Sequence, residues 1–464
     1  MRHFDLVVVG TGSGNSVLDE RFAGWDVALV ERARFGGTCL NVGCIPTKMF
    51  VHTADVAATP GKAARLGVDE TLDGVRWPDV RDRIFGRIDP IADAGEEYRI
   101  AHEDNRNVTV YRGDAVFTGH KQLTISPNDG GEPETITAER IVLAAGGRPV
   151  VPDIEGLAGL TYFTSDTVMR LDTLPRRMTI VGGGFVAAEF AHVFSSFGVE
   201  VTIVARSGAM LRAEDADVSA RFTELAQQRW DVRLHSKVVR AEQIGAATRL
   251  HLEGPSGAEV VESDVLLFAT GRRPNTDQLE VSATGLITHE TGYLVVDEYQ
   301  QTNVDGIWAL GDISSPWTLK HVANHEQRVV QHNLLHPDEP VASDHRFVPH
   351  AVFSSPQIAS VGLTERHAED RGLDFVVSTH DYADIAYGWA MEDTTGFAKL
   401  IADPDTGQLL GAHILGPQAS TLIQPLIQAM SFGLDARRMA RGQYWIHPAL
   451  PELVENALLK LPLK

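Results

Sequence analysis

The chain has 464 residues, too many for one hydrophobic core, and its length predicts about three domains at roughly 150 residues each. With 41 Lys and Arg against 62 Asp and Glu the formal charge is −21, which argues against attraction to nucleic acid or to anionic membrane. No run reaches the ~18 apolar residues of a spanning helix and Leu6–Val9 is too short for a signal sequence, so a cytoplasmic location with no membrane partner is expected.

Phe4 to Val9 reads as a buried strand that runs into Gly10-Thr11-Gly12-Ser13-Gly14-Asn15, followed by a helical stretch and a second strand, Val27 to Val30. This pattern predicts a dinucleotide-binding unit. Gly10, Gly12 and Gly14, with Ser13 between them, allow a tight turn and let a pyrophosphate approach the backbone at a helix N-terminus, while Glu31 is placed for a ribose hydroxyl. The sixth position is Asn15 rather than the Gly or Ala needed for close packing, so the helix is expected to sit slightly off.

Five residues after Glu31 begins GGTCLNVGCIPTK, Gly36 to Lys48, which holds both cysteines of the chain, Cys39 and Cys44. Their separation permits a disulfide only if the chain distorts at a helix start, and Gly43 and Pro46 supply suitable backbone near the second cysteine. A thiol near a helix N-terminus also feels the positive end of the macrodipole, which favours the thiolate. For a bare C-x4-C the alternative is two cysteines packed as small hydrophobes. In a reducing compartment such a pair is catalytic or metal-binding, and two cysteines alone make a poor metal site, so no metal is expected.

Residues from about 50 to 105 read as helical and Val108 to Ile141 as strand-rich. LAAGGRP, Leu143 to Pro149, then has a counterpart in FATGRRPN, Phe268 to Asn275, with Gly146 and Gly271 at equivalent places. The repetition predicts a second nucleotide-binding domain between them. Inside it, strand Met178 to Val181 leads to Gly182-Gly183-Gly184-Phe185-Val186-Ala187, a second fingerprint with an acceptable Ala at the sixth position. The next strand, Val201 to Val204, ends in Ala205-Arg206 where the first unit ends in Glu31. An acid there repels a 2′-phosphate, whereas arginine binds it through charge-assisted contacts, so the contrast favours NADPH. Arg212 is a second candidate, with Glu214 and Asp215 close enough in sequence to weaken it; the alternative for both arginines is a solvated surface charge.

A helix is predicted from Lys320 to Leu335, carrying His321, His325 and His332, which are read as solvated or interface histidines rather than metal ligands. Strands follow near Ala398 to Ile401 and Leu409 to Ile414, then a helix from about Ser420 to Phe432. Near the end stands Trp445-Ile446-His447-Pro448-Ala449-Leu450-Pro451-Glu452. A glutamate that orients an imidazole raises its basicity, a pairing suited to moving protons to and from a thiolate.

These strings, spread from Gly10 to Glu452, resemble the motifs of the pyridine nucleotide-disulfide oxidoreductases, the family of glutathione reductase and dihydrolipoamide dehydrogenase. The resemblance implies an α/β fold with two Rossmann-like domains and a C-terminal α+β dimerisation domain. Its expected divisions are 1–149 for FAD, 150–273 for NADPH, 274–345 completing the FAD site, and 346–464 as the interface through which two subunits pair. It makes Cys39 the interchange thiol and Cys44 the flavin-facing thiol, with Gly37 and Thr38 at the flavin. It also implies a Lys48–Glu189 ion pair beside the flavin, and Phe185 over the nicotinamide pocket, a core contact in the fingerprint helix being the alternative for Phe185. TNVDGIWALGDI, Thr302 to Ile313, resembles a second FAD signature in which Gly311 precedes Asp312, the contact to the ribityl and phosphate part. Arg206 and Arg212 match the arginines of NADPH-using members. His447, oriented by Glu452, would be the acid-base residue for the cysteine pair of the other subunit.

The expected activity is NADPH-dependent reduction of a small disulfide. Glutathione reductases carry an arginine where this chain has Glu20, which disfavours glutathione disulfide. GTGSGNSVLDERFAG, KHVANHE and RGQYWIHPALPE look like the branch that reduces mycothiol disulfide, whose sugar-inositol needs no such arginine. The runner-up is a dihydrolipoamide dehydrogenase using NAD, disfavoured by Ala205-Arg206; a mercuric reductase would usually add a C-terminal cysteine pair, absent here. A flavin-bound sensing module without turnover would be expected to lose His447, Glu452 or a cysteine, and all are present.

Overall fold

The computed structural model describes residues 1–464. Its first sheet has six strands, and Arg2–Val9 lies at the centre, paired in parallel with Val27–Glu31 on one side and Glu134–Leu143 on the other. Leu6, Val7 and Val8 have no exposed surface, as expected for a strand covered on both faces. Val108–Gly119 and Ile307–Ala309 extend the sheet in parallel, and Gln122–Pro127 is antiparallel between Val108–Gly119 and Glu134–Leu143.

The second sheet is wholly parallel, in the order Asp231–Arg233, Glu200–Val204, Arg177–Val181, Val265–Phe268, Phe163–Thr164. A three-stranded antiparallel sheet, Lys237 to Ser263, packs beside it. The two similar Gly-rich turns pair with each other: Gly147–Pro149 runs antiparallel to Arg272–Pro274, so the path into the second unit and the path out of it are clasped together. The C-terminal part is a five-stranded antiparallel sheet with helices, closed around its own core of 25 buried residues.

The parts are not independent. One core of 33 buried residues joins helix Cys44–Ala57 and helix Trp77–Ala101 to helix Phe185–Ser196, the second sheet, and Val352, Ile358 and Phe397 of the C-terminal part. Phe50 is central, stacked on Trp77 at 5.2 Å. Truncating such a buried ring costs about 3–5 kcal/mol, so this junction holds helix Cys44–Ala57 at the meeting point of three regions.

The helix expected after Gly14 does not form as an α-helix. The chain makes two 3-10 turns, Gly14–Val17 and Glu20–Phe22, before Val27. Asn15 and the polar residues after it are weak helix formers, and their carbonyls are satisfied from elsewhere. Arg99 donates to Asn15 Oδ1 at 2.7 Å, to the Asn15 carbonyl at 2.8 Å and to the Leu18 carbonyl at 3.0 Å. Gln327 and Gln331 donate to the carbonyls of Ser16 and Val17. After the second fingerprint a regular helix, Phe185–Ser196, does form. The single helix expected near Ser420–Phe432 is interrupted at Ile423, between Ala419–Leu422 and Gln424–Phe432.

Candidate active site

The cysteine stretch folds as a short helix, Gly37–Asn41, then a break at Val42 and Gly43, then helix Cys44–Ala57. Cys39 lies in the first helix and Cys44 is the first residue of the second, so the break lets two cysteines five positions apart face a common point. The segment abuts the first fingerprint: a Cβ on Gly37 would lie 2.7 Å from the Gly12 Cα, so only glycine lets the two backbones meet. Both cysteines are free thiols here, Cys39 half-buried and Cys44 exposed.

Their protonation is unequal. Hydrogen bonding from Cys39 pulls the Cys44 thiol down to about 7, burial opposing and the Lys48 ammonium helping. Hydrogen bonding with Cys44 and burial push the Cys39 thiol up. The reduced pair therefore keeps its proton on Cys39 and its negative charge on Cys44, at the helix N-terminus.

Lys48 Nζ lies 2.6 Å from Glu189 Oε1 and 4.3 Å over the Phe353 ring. Glu189 is 6% exposed, and the same oxygen accepts from the Phe353 N–H at 2.9 Å. One carboxylate thus joins the cysteine helix, the second fingerprint helix and the C-terminal part. Phe185, at the start of that fingerprint helix, is 47% exposed, which removes the core-contact alternative and leaves its ring open to a ligand.

In the first fingerprint, Glu31 Oε2 accepts from the Thr11 N–H and hydroxyl, and Oε1 accepts from the Ala33 N–H. A carboxylate has about four acceptor sites, so one remains for a ribose hydroxyl. Gly146 and Gly271 lie in the two clasped turns, where the Gly146 carbonyl accepts from Asn275 N–H and the Gly271 carbonyl from Val150 N–H. Asp312 stands 4.0 Å from Arg272, and burial raises its pKa against the pull of that arginine. Gly311 N–H donates to Glu326 Oε2 at 2.6 Å. Thr38 is exposed. The close backbone approach at Gly12 and Gly37, the spare acceptor on Glu31 and the half-buried Asp312 fit a flavin dinucleotide.

Gly182 and Gly184 open the second site, with Gly184 capping the fingerprint helix. Arg206 and Arg212 are exposed and no carboxylate pairs with either. The weakening of Arg212 by Glu214 and Asp215 is overturned. Glu214 is taken by His350 at 2.7 Å and by Ser360, and Asp215 by Lys399 at 2.8 Å and the Glu365 N–H. Both carboxylates turn into the seam with the C-terminal part, Glu214 to His350 and Ser360 and Asp215 to a 1%-exposed lysine that would otherwise be a buried unpaired charge.

His447 Nδ1 lies 2.6 Å from Glu452 Oε1, and Glu452 also accepts from the Ala449 N–H. The imidazole is 70% exposed and has no other partner. The three histidines of helix Lys320–Leu335 do not converge: His321 contacts the Pro349 carbonyl, His325 accepts from the Asp344 N–H, and His332 contacts the Glu339 carbonyl. Two contributors went unread in the sequence. Glu326, 1% exposed, holds Gly311, and its signal is an acid on the apolar face of an amphipathic helix. Lys320 donates to Ser13 Oγ at 2.9 Å, and its signal is a cation in the first turn of a helix.

The family model described as pyridine nucleotide-disulphide oxidoreductase matches residues 4–330, and its dimerisation-domain companion matches residues 348–458. The chain belongs to the pyridine nucleotide-disulfide oxidoreductase family. It is 55% identical to a mycothione reductase of Mycobacterium tuberculosis over 99% of this chain and 100% of that one. It is 34% identical to a mercuric reductase of Streptomyces lividans, over 96% and 93% of the two chains. The dihydrolipoyl dehydrogenase of Chlamydia trachomatis is 32% identical over 98% and 96%. Among solved structures, the Cu(II) complex of the HOCl-induced flavoprotein disulfide reductase RclA from Escherichia coli superposes with a TM-score of 0.85 at 29% identity, covering 99% of each chain. This family member is a flavoprotein disulfide oxidoreductase of mixed α/β fold, its cofactors are FAD and NADPH, and it carries the family's dimerisation domain. No helix is long and apolar enough to cross a membrane.

Proposed function

We propose that the chain reduces the disulfide of mycothiol, and the observation that carries this reading is its 55% identity along the whole of a mycothione reductase. Glu20 supports it. Glu20 is exposed, and the adjacent Arg21 is held by Asp19, so no free cation stands there to bind the glycyl carboxylates of glutathione disulfide. Acceptor oxygens tolerate sugar hydroxyls and repel carboxylates.

When bound, NADPH and FAD supply the two electrons that open the Cys39–Cys44 disulfide. Lys48, fixed by Glu189, places a cation beside Cys44 and holds its sulfur as thiolate. Cys39 retains the proton and becomes nucleophilic when a base removes it. His447, oriented by Glu452, is that base, and its exposure suits it to serve the cysteine pair of a second copy in a homodimer. The Cys39 thiolate attacks one sulfur of the substrate, the substrate S–S bond breaks, and the first thiolate leaves with the proton from His447. Cys44 then attacks Cys39, re-forming the internal disulfide and releasing the second thiol after protonation. NADPH, one proton and one disulfide become NADP⁺ and two thiols.

The same reading assigns 1–149 to FAD, 150–273 to NADPH, 274–345 to completion of the FAD site and 346–464 to dimerisation, in a cytoplasmic enzyme. It gives Gly10, Gly12, Ser13, Gly14, Glu31, Gly37, Thr38, Gly146, Gly271, Gly311 and Asp312 to the flavin nucleotide. Gly182, Gly184, Phe185, Arg206 and Arg212 are given to the coenzyme. The test compares kcat/KM for mycothiol disulfide, glutathione disulfide and lipoamide at one pH and salt. Mycothiol disulfide is expected to lead; preference for either of the others overturns the substrate assignment.

A further inference from the structure

The sheet of the C-terminal part carries a polar row on the face away from its own core. His350 of strand His350–Val352 lies opposite Ser360 of Ile358–Gly362, Ser360 opposite His413 of Leu409–Leu415, and His413 opposite Lys399 of Phe397–Ala402, so the four side chains share one face. Their neighbours along the strands, among them Val361, Leu400 and Ile414, belong to the apolar core on the other face. The row meets the segment that follows Arg212 in the coenzyme unit. Lys399 takes Asp215, His350 Nε2 lies 2.7 Å from Glu214 Oε1, and the Ser360 hydroxyl donates to Glu214 Oε2 at 2.7 Å. Both oxygens of Glu214 are therefore engaged, and its side chain is 5% exposed. Burial alone would push the His350 imidazole down and the Glu214 carboxyl up; the contact between them outweighs burial in both and favours imidazolium and carboxylate.

Arg212 stands two residues from this contact. Leu211 to Glu214 form a β-turn, closed by the Glu214 N–H on the Leu211 carbonyl at 2.9 Å, with Arg212 and Ala213 at its tip. Leu211, buried and at φ +53°, donates its N–H to the Gly183 carbonyl at 2.7 Å, which fastens the turn to the second fingerprint. At a spacing of two residues this chain pairs arginine with acid elsewhere: Arg21 with Asp19 at 2.5 Å, Arg233 with Asp231 at 2.7 Å, Arg346 with Asp344 at 2.7 Å, and Arg240 with Glu242, in the same order as Arg212 and Glu214. Arg212 does not pair in this way, because its acid is held across the seam. We propose that His350 and Ser360 are positioning residues for coenzyme selection: by holding the Glu214 carboxylate in the seam they keep it off Arg212, whose guanidinium stays open to the 2′-phosphate of NADPH. The proposal rests on the assignment of Arg212 to the coenzyme and not on the identity of the disulfide. A carboxylate released to Arg212 would both occupy the guanidinium and repel the phosphate. The C-terminal part thus acts on the choice of coenzyme through Glu214, from across the seam.

Adenosine 2′,5′-bisphosphate and adenosine 5′-monophosphate differ only in the 2′-phosphate, and calorimetric titration of the holoenzyme with each reads that phosphate without turnover. His350→Leu should weaken binding of the bisphosphate about fivefold, the effect of one exposed ion pair, and leave the monophosphate unchanged. Adding Glu214→Gln to His350→Leu should restore the bisphosphate affinity, because the competing charge is gone. Glu214→Gln by itself, which leaves the sheet intact, should bind the bisphosphate as the unaltered protein does, since that carboxylate is already engaged. An unchanged bisphosphate affinity in His350→Leu, equal losses for both ligands, a loss that survives Glu214→Gln, or a Glu214→Gln protein that binds the bisphosphate several-fold tighter overturns the proposal. Arg212→Ala separates it from the assignment it rests on. Unchanged bisphosphate affinity there removes that arginine from the phosphate site and the proposal with it, whereas a loss there beside an unaffected His350→Leu overturns the proposal alone.

Discussion

The two fingerprint units begin alike and continue differently. In both, a buried parallel strand ends in a glycine, Gly10 or Gly182, whose positive φ and closeness to a neighbouring strand's carbonyl forbid a side chain. After Gly184 the chain closes its own hydrogen bonds in helix Phe185–Ser196. After Gly14 it does not, and its carbonyls pass to Arg99, Gln327 and Gln331, 81 to 314 residues away in sequence. The same local signal thus yields a self-sufficient unit in one case and, in the other, a unit that needs helices Trp77–Ala101 and Lys320–Leu335 to be complete. The dependent unit is also the one that carries the cysteines.

The sharpest way to break this comparison is Arg99→Leu. Arg99 is 7% exposed, so its loss leaves the Asn15 and Leu18 carbonyls and the Asn105 side chain without their donor. A loss of about 3–5 kcal/mol is expected, read as the denaturant midpoint together with flavin retained per chain. Phe185→Ala, in the self-sufficient unit, should stay within about 0.5 kcal/mol because its ring is half exposed. Equal effects would show that the first unit does not lean on its distant donors.

A smaller effect tests the second unit as the reader of the coenzyme. Arg206→Ala should raise the KM for NADPH by roughly ten- to a hundredfold, the worth of a charge-assisted hydrogen bond, and leave that for NADH nearly unchanged. Equal changes for both coenzymes would take the 2′-phosphate away from Arg206. Arg212→Ala should act in the same direction, since Glu214 and Asp215 are engaged elsewhere.

The smallest effect is a titration in the first unit. Cys44 is drawn down to about 7, so the thiolate form gains as pH rises through that value and is lost below it. Thiolate-to-flavin absorbance of the two-electron-reduced enzyme should therefore grow from about pH 6 to about pH 8. Lys48→Met should move its midpoint upward, because the ammonium favours the charged sulfur. A midpoint that ignores Lys48 would separate that lysine from Cys44.

Much of the architecture was legible in the chain. Buried strands announce themselves as apolar runs, glycines mark turns that no other residue can make, and both act through neighbours in sequence. For that reason strands Arg177–Val181 and Glu200–Val204, helix Lys320–Leu335 and the paired Gly-rich turns were open to reading. The His447–Glu452 contact was legible for the same reason, since five residues across one turn into a helix bring the two groups together. The fate of the stretch after Gly14 was not, because Asn15 is ambivalent by itself and Arg99, 84 residues on, decides it.

What the sequence determined by itself is the inventory: two dinucleotide units, a cysteine pair at a helix start, a histidine with its glutamate, and an arginine where an acid would reject phosphate. Only the tertiary structure decided where charges point. Glu214 and Asp215 turn from Arg212 to His350 and Lys399, Glu189 unites three regions through one oxygen, and Lys320 meets Ser13 rather than solvent. The physical reason is range: backbone geometry and hydrophobic periodicity are set within a few residues, whereas the energy of a charge depends on every group and every water molecule around it after the chain has closed.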